Sequence, residues 1–113
     1  LQVGDRAKEM HDIGAAGLIR DLVPYLRDIT DTLAILRDLD LVICCESALA
    51  HICAAAGKEC FLPYSYLGKD YRLGVDGKDM LWTPKHRVFR QGKDLNWYPV
   101  FLQIADELKE RVR

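Results

Sequence analysis

The chemistry-bearing residues cluster where an apolar run breaks. Leu41-Val42-Ile43-Cys44-Cys45 is a continuous β-prone stretch, and it is interrupted by Glu46 and Ser47 before a short apolar segment begins at Ala48. If the stretch is a strand and the segment a helix, the strand's carboxyl end meets the helix's amino end at Glu46-Ser47. Open α/β sheets bind ligands at that kind of crevice. The first N–H groups of a helix have no partner inside it, and they favour an anion such as phosphate. Ser47, Ala48 and Leu49 would present those groups, and the Ser47 hydroxyl could add a donor or serve only as the helix N-cap. An ionised Glu46 at a strand end needs a partner. His51 lies one turn into the helix, as either a ligand contact or a satisfied core histidine. Further on, Asp70-Tyr71-Arg72 is either a solvated loop or a site for a planar guanidinium fork that takes phosphate or carboxylate. Tyr64, Tyr66, Tyr71 and Trp82 either wall a pocket or anchor that loop.

The elements that must position these residues can be read from periodicity. An all-β-prone run suits a parallel strand covered on both faces. The helix from Ala48 to Ala56 is apolar on every side and is expected to be buried. Gly57 is its natural stop, Cys60-Phe61-Leu62 begins a second strand, and Pro63 is expected to end it. Upstream, Arg6 to Ala16 predicts a helix with Ala7, Met10, Ile13 and His11 inward. Leu18 to Leu22 is an edge strand or an extended connection, stopped by Pro24. Asp28 or Thr30 caps a helix reaching Asp38, with Leu33, Leu36 and Leu39 at helical spacing. Tyr64 to Lys85 is irregular, with a turn at Asp76-Gly77, and is long for a structureless connection. Arg87 to Arg90 predicts the last strand. Asn96 or Asp94 caps a final helix whose inner stripe is Val100, Phe101, Ile104, Ala105 and Leu108. Strands alternating with helices give α/β class: a three-layer Rossmann-like sandwich with a mostly parallel sheet of four strands.

Composition narrows the function classes. The chain has 113 residues, half of them hydrophobic, with a formal net charge of −1. That suits one domain, residues 1–113, with a single modest core. No basic stretch points to nucleic acid, and no apolar run approaches the roughly 20 residues of a membrane span. Cys44, Cys45, Cys53 and Cys60 all fall within apolar runs, so buried reduced thiols and a cytoplasmic location are expected. A zinc site using His51 lacks the C-x-x-C pair that would support it. Leu1-Gln2-Val3-Gly4 reads as the tail of a strand with its turn, and the chain lacks an initiator methionine. Both lead to the expectation of a fragment of a longer protein.

Several motifs in one order resemble a known family. Leu1-Gln2-Val3-Gly4, the segment Asp28 to Leu36, Asp40-Leu41-Val42-Ile43 followed by Glu46-Ser47-Ala48 and Ala50-His51, Ala55, Gly57 and Lys58, then Leu62-Pro63, Asp70-Tyr71-Arg72, Trp82-Thr83-Pro84 and Phe89-Arg90-Gln91 span nearly the whole chain. Together they resemble the carboxyl half of heptosyltransferase-like glycosyltransferases, and more closely the bacterial glycosyltransferases that carry tetratricopeptide repeats. The resemblance implies a GT-B fold, with this chain as the half that binds the nucleotide-sugar donor. It implies an inverting transfer from a nucleoside-diphosphate sugar to an acceptor hydroxyl, with no cofactor and no metal. Glu46, Ser47, Ala48, Leu49, His51, Asp70 and Arg72 are the donor-binding candidates. Glu46 would accept hydrogen bonds from sugar or ribose hydroxyls, because beside a diphosphate it would repel. The family usually has Asp there, and the extra methylene alters that contact.

The general base would lie in the other, amino-terminal half, so the chain alone is expected to bind donor without turnover. An apolar face left by that missing domain could drive self-association. The alternative is a non-catalytic interaction module derived from such a half, docking a partner protein through its open face. A nicotinamide-binding Rossmann half lacks its G-x-G-x-x-G. A flavodoxin-like regulatory domain would want clustered aspartates where only Asp38, Asp40 and Glu46 come near.

Overall fold

The two apolar runs flanking Gly57 lie side by side as parallel strands. β1 (Val42–Ile43) pairs with β2 (Cys60–Tyr64), Val42 opposite Cys60 and Ile43 opposite Phe61. β2 pairs in turn with β3 (His86–Arg90), from Cys60 opposite His86 to Tyr64 opposite Arg90. All pairs are parallel and β2 is central. Parallel neighbours need a crossover connection. Here α3 (Ala48–Ala55) links β1 to β2, and Gly57 stops it at φ 64°, a left-handed conformation that suits glycine.

This is a computed structural model, and it describes residues 6, 8–68, 70–74, 80 and 83–113. The chain divides into two compact units, Leu1–Ile35 and Leu36–Arg113. The first contains α1 (Glu9–Asp12), a 3-10 turn at Val23–Tyr25 and most of α2 (Ile29–Asp38), whose last residues belong to the second. Asp28 caps α2: its Oδ1 accepts from the Thr30 and Asp31 N–H groups at 2.8 and 3.2 Å.

The second unit carries the sheet. Cys60, Leu62, Tyr64, Val88 and Val42 join Leu36, Ala50, Cys53, Leu73 and Met80 in one apolar cluster. The alternate residues Phe61 and Phe89 form another with Val100 and Ile104 of α4 (Tyr98–Val112). Their rings meet at 5.0 Å, tilted by 53°. Burying side chains of this size contributes about 1.5–3 kcal/mol each. An α/β architecture around a parallel sheet therefore follows the sequence reading.

Several local expectations are corrected. β1 is two residues long, because the chain turns away after Cys44 donates its N–H to the Phe61 carbonyl at 3.2 Å. It is not covered on both faces, since Ile43 is 44% exposed. Pro63 does not end β2 but lies within it, opposite Phe89. The Glu59 and Phe61 carbonyls face β1, so the nitrogen of Pro63 faces the same side, past the end of β1, where no ladder donor is needed. α3 is not buried all round: Ala50 and Cys53 are buried, while Ala48, His51 and Ala55 are exposed. Alanine carries no facing preference, so a three-stranded sheet covers only one stripe of the helix.

Other differences have similar causes. α1 is four residues rather than the full Arg6 to Ala16 and buries no side chain, and a helix that short has no packing to sustain it. His11 and Ile13 are exposed, and Ala7 lies outside the described residues. Residues 18–22 form no strand, so the described residues hold three strands rather than four. In α4, Val100 and Ile104 are buried but Phe101 faces out, tilted against Trp97 at 6.2 Å. The N-cap of α4 is Trp97, with no side-chain cap, rather than Asn96 or Asp94; Asn96, one residue earlier, accepts from the Tyr98 N–H at 3.0 Å. Cys53 and Cys60 are buried, but Cys44 is half-buried and Cys45 exposed, because both follow the end of β1. All four thiols are free. The expected turn at Asp76-Gly77 lies outside the described residues.

Candidate functional site

The amino end of α3 sits where β1 stops. Ser47 takes the extended N-cap conformation, φ −161° and ψ 175°, yet its side chain makes no capping hydrogen bond. Its carbonyl accepts from the Ala50 N–H at 3.1 Å, which starts the helix. The N-cap reading thus holds for the backbone and fails for the hydroxyl. The Ser47 side chain does not cap the first amides of the helix, no hydrogen bond to them comes from a side chain among the described residues, and Ala48 is exposed beside them. Two turns of aligned peptide dipoles end at these amides, so they carry partial positive charge.

Glu46, His51, Asp70 and Arg72, four residues singled out from the sequence, line one cavity of about 70 Å³ alongside α3. β2 positions the last two: the Tyr64 hydroxyl, at its carboxyl end, accepts from the Asp70 N–H at 2.8 Å. Asp70 then caps the 3-10 turn Tyr71–Leu73 by accepting from the Arg72 N–H at 2.9 Å. Its carboxylate also takes the Arg72 guanidinium, with Nε at 2.8 and 3.0 Å and Nη2 at 2.5 Å. The Asp70 side chain is 7% exposed. Arg72 is therefore not an open fork awaiting phosphate. Asp70 occupies its Nε–Nη2 edge.

The charges set each other's protonation. The Arg72 guanidinium holds the Asp70 carboxyl well below the usual carboxylate range. Glu46 is pushed up, first by loss of solvent and then by the neighbouring Asp70 carboxylate, against the pull of Arg72 and His51. Asp70 raises Arg72 in return. His51 is exposed, so it is not a core histidine.

A larger cavity, about 570 Å³, lies by the carboxyl ends of β2 and β3, and Asp70 lines it too. Of the two readings of the tyrosines, Tyr64, Tyr66 and Tyr71 line this cavity, and Tyr64 also anchors the loop through the Asp70 N–H; Trp82 lies outside the described residues. The Arg90 guanidinium sits over the Tyr64 ring at 5.5 Å and donates to the Leu73 carbonyl. Gln91 braces the rim: its Oε1 accepts from the Tyr66 N–H at 3.1 Å and its Nε2 donates to the Leu95 carbonyl at 2.6 Å. The volume and the aromatic walls suit a small organic ligand.

Two residues of this region escape sequence reasoning. Gln91 is read in the sequence only as the end of the Phe89-Arg90-Gln91 motif, with no role at a site. His86 is 1% exposed at the start of β3, with Nε2 3.0 Å from the Ala50 carbonyl and Nδ1 without a partner among the described residues. Its signal was present: His86 stands two residues before Val88, and strand periodicity puts both on one face. Among the described residues no three His, Cys, Asp or Glu side chains gather as a metal ligand set, and no helix is long and apolar enough to cross a membrane. Comparison with protein-family models, curated proteins and solved structures gives no match.

Proposed function

We propose that this chain is the nucleotide-sugar-binding half of an inverting glycosyltransferase of the heptosyltransferase-like kind, one three-layer Rossmann-like sandwich of a GT-B pair. One observation carries the reading: the uncapped amino end of α3 adjoins a cavity lined by Glu46, His51, Asp70 and Arg72. In this reading the amides of Ser47, Ala48 and Leu49 receive the donor's diphosphate, and the Ser47 hydroxyl adds a donor. They stabilise the negative charge that builds on the leaving diphosphate as an acceptor hydroxyl attacks the anomeric carbon from the opposite face. Glu46 accepts from sugar or ribose hydroxyls, and the tyrosine-walled cavity takes the base. Arg72 holds Asp70 in place through Nε and Nη2, which leaves at most Nη1 to offer a ligand. The general base and the acceptor pocket belong to the other half.

Ligand-observed NMR with UDP-, ADP- and GDP-sugars tests this. Donor binding that is lost in Glu46→Ala and Ser47→Ala supports it, and rapid sugar transfer by the chain alone would contradict the half-site assignment. The second reading, a non-catalytic module that docks a partner protein, draws on exposed Leu95, Trp97, Tyr98, Phe101 and Leu102 around the start of α4. Nucleotide sugars that fail to bind at all would favour it.

A further inference from the structure

Two thiols in contact across neighbouring strands are placed to be joined by oxidation. Cys44 follows the last residue of β1 and Cys60 opens β2, with their Sγ atoms 3.5 Å apart. Their surroundings give them different roles. Cys60 is fully buried, and its S–H also has the Phe61 carbonyl at 3.7 Å, an oxygen that can only accept. Cys44 is half-buried rather than sealed. The Cys60 S–H stabilises a Cys44 thiolate and so lowers the Cys44 pKa, while the same contact, and then burial, push Cys60 up. Since the thiolate is the form that attacks, Cys44 is the thiol that a small oxidant meets and Cys60 the one placed to resolve it. The other two cysteines are less well placed. Cys53 packs in the same apolar cluster but is itself sealed, and Cys45 is exposed without a contact to another thiol among the described residues.

We propose that Cys44 and Cys60 form an oxidation site for a hydroperoxide, closing reversibly to a disulfide that ties the end of β1 to β2. The Cys44 thiolate attacks one peroxide oxygen, the O–O bond breaks, and Cys44 becomes a sulfenic acid as hydroxide leaves and takes up the proton that Cys44 released. The Cys60 sulfur then attacks the Cys44 sulfur, the S–O bond breaks, and the oxygen departs with the Cys60 proton as water. Together the two sulfurs lose an electron pair, and hydrogen peroxide is reduced to water. The sulfurs must close from contact to bonding distance. Cys60 is held in the central strand, so that movement falls on Cys44 and on the Cys45-Glu46-Ser47 turn behind it. The site stands whether or not a nucleotide sugar binds.

Hydrogen peroxide added to the reduced, folded 113-residue chain tests it. The remaining thiols are alkylated, and trypsin then cuts after Lys58, which separates the Cys60 peptide from the one holding Cys44, Cys45 and Cys53. Mass spectrometry without reductant, with fragment sequencing, reads which sulfurs are joined. The expected result is a Cys44–Cys60 bond that dithiothreitol reverses, kept in Cys45→Ser and lost entirely in Cys44→Ser. In Cys60→Ser, dimedone should trap the sulfenic acid at Cys44. A bond from Cys60 to Cys45 or Cys53 would overturn the proposal. So would oxidation confined to Cys45, with Cys44 and Cys60 recovered as thiols. Should Cys60→Ser not fold, the wild-type peptide map still decides the matter.

Discussion

Gly68 is glycine for lack of space, and replacing it offers a sharp test of how the site is held. A Cβ built on Gly68 would lie 2.4 Å from Cζ, 2.7 Å from Oη and 2.8 Å from Cε2 of Tyr64. Its φ is not in the left-handed region, so Gly68→Ala carries no backbone strain of its own. The ring cannot swing aside freely: Tyr64 is 5% exposed, anchored in β2, and covered by the Arg90 guanidinium. Its hydroxyl accepts the Asp70 N–H, so moving the ring also disturbs the Asp70–Arg72 pair. Overpacking of this kind costs about 1–3 kcal/mol. Tyr64→Phe alone, which deletes the hydroxyl and leaves the Asp70 N–H unpaired, should cost about 1 kcal/mol. Removing Oη relieves one of the three close contacts, so the double variant should be less destabilised than the sum, by roughly 0.5–1 kcal/mol. Urea unfolding followed by circular dichroism measures all three, with m unchanged if only native packing is affected. Gly68→Ala within about 0.5 kcal/mol of wild type would refute the reasoning, because surface substitutions fall in that range. Strict additivity of the pair would refute the assigned contact.

Other perturbations are expected as follows. Phe89→Ala, which empties the ring packed on Phe61, should lower stability by about 3–5 kcal/mol in the same urea assay. Gly57→Ala, at φ 64°, should cost about 1–2 kcal/mol, although its Cβ would meet only the Lys85 Nζ at 3.8 Å. The two carboxylates should have opposite pH signatures. Asp70, depressed by Arg72, contributes stability above its unfolded pKa and loses it as pH falls through the folded one. Asp70→Asn should therefore destabilise at neutral pH, with the difference from wild type shrinking in acid. Glu46 is raised, so its contribution is present in acid and lost as pH rises through the folded value. Glu46→Gln should thus stabilise at pH 7, match wild type in acid, and still weaken sugar binding; thermal unfolding across pH reads both. A thiol reagent should label Cys45 first, Cys44 next, and Cys53 and Cys60 only on unfolding, as mass spectrometry of the labelled peptides would report.

Sequence by itself determined the local chain path of the second unit. The apolar runs on either side of Ser47 to Gly57 were legible as strand, helix and strand, and Val100 and Ile104 were legible too, as was the Asp28 cap in the first unit. Each of these rests on side-chain period, capping chemistry or glycine's conformational freedom, all of which act within a few residues. Only the tertiary structure decided which stripe of α3 faces the sheet, since its alanines and apolar residues are spread round every side and give no facing signal, and why Pro63 is tolerated inside β2, since that depends on where β1 ends. The site divides along the same line. Glu46, His51, Asp70 and Arg72 could each be picked out by type, but their meeting at one cavity depends on the Tyr64 hydroxyl holding the Asp70 backbone at the end of β2. That Asp70 takes up Arg72's fork and that His86 is sealed under α3 are contacts between segments far apart in the chain. Such contacts depend on which surfaces pack together, and nothing in the local spacing of residues encodes them.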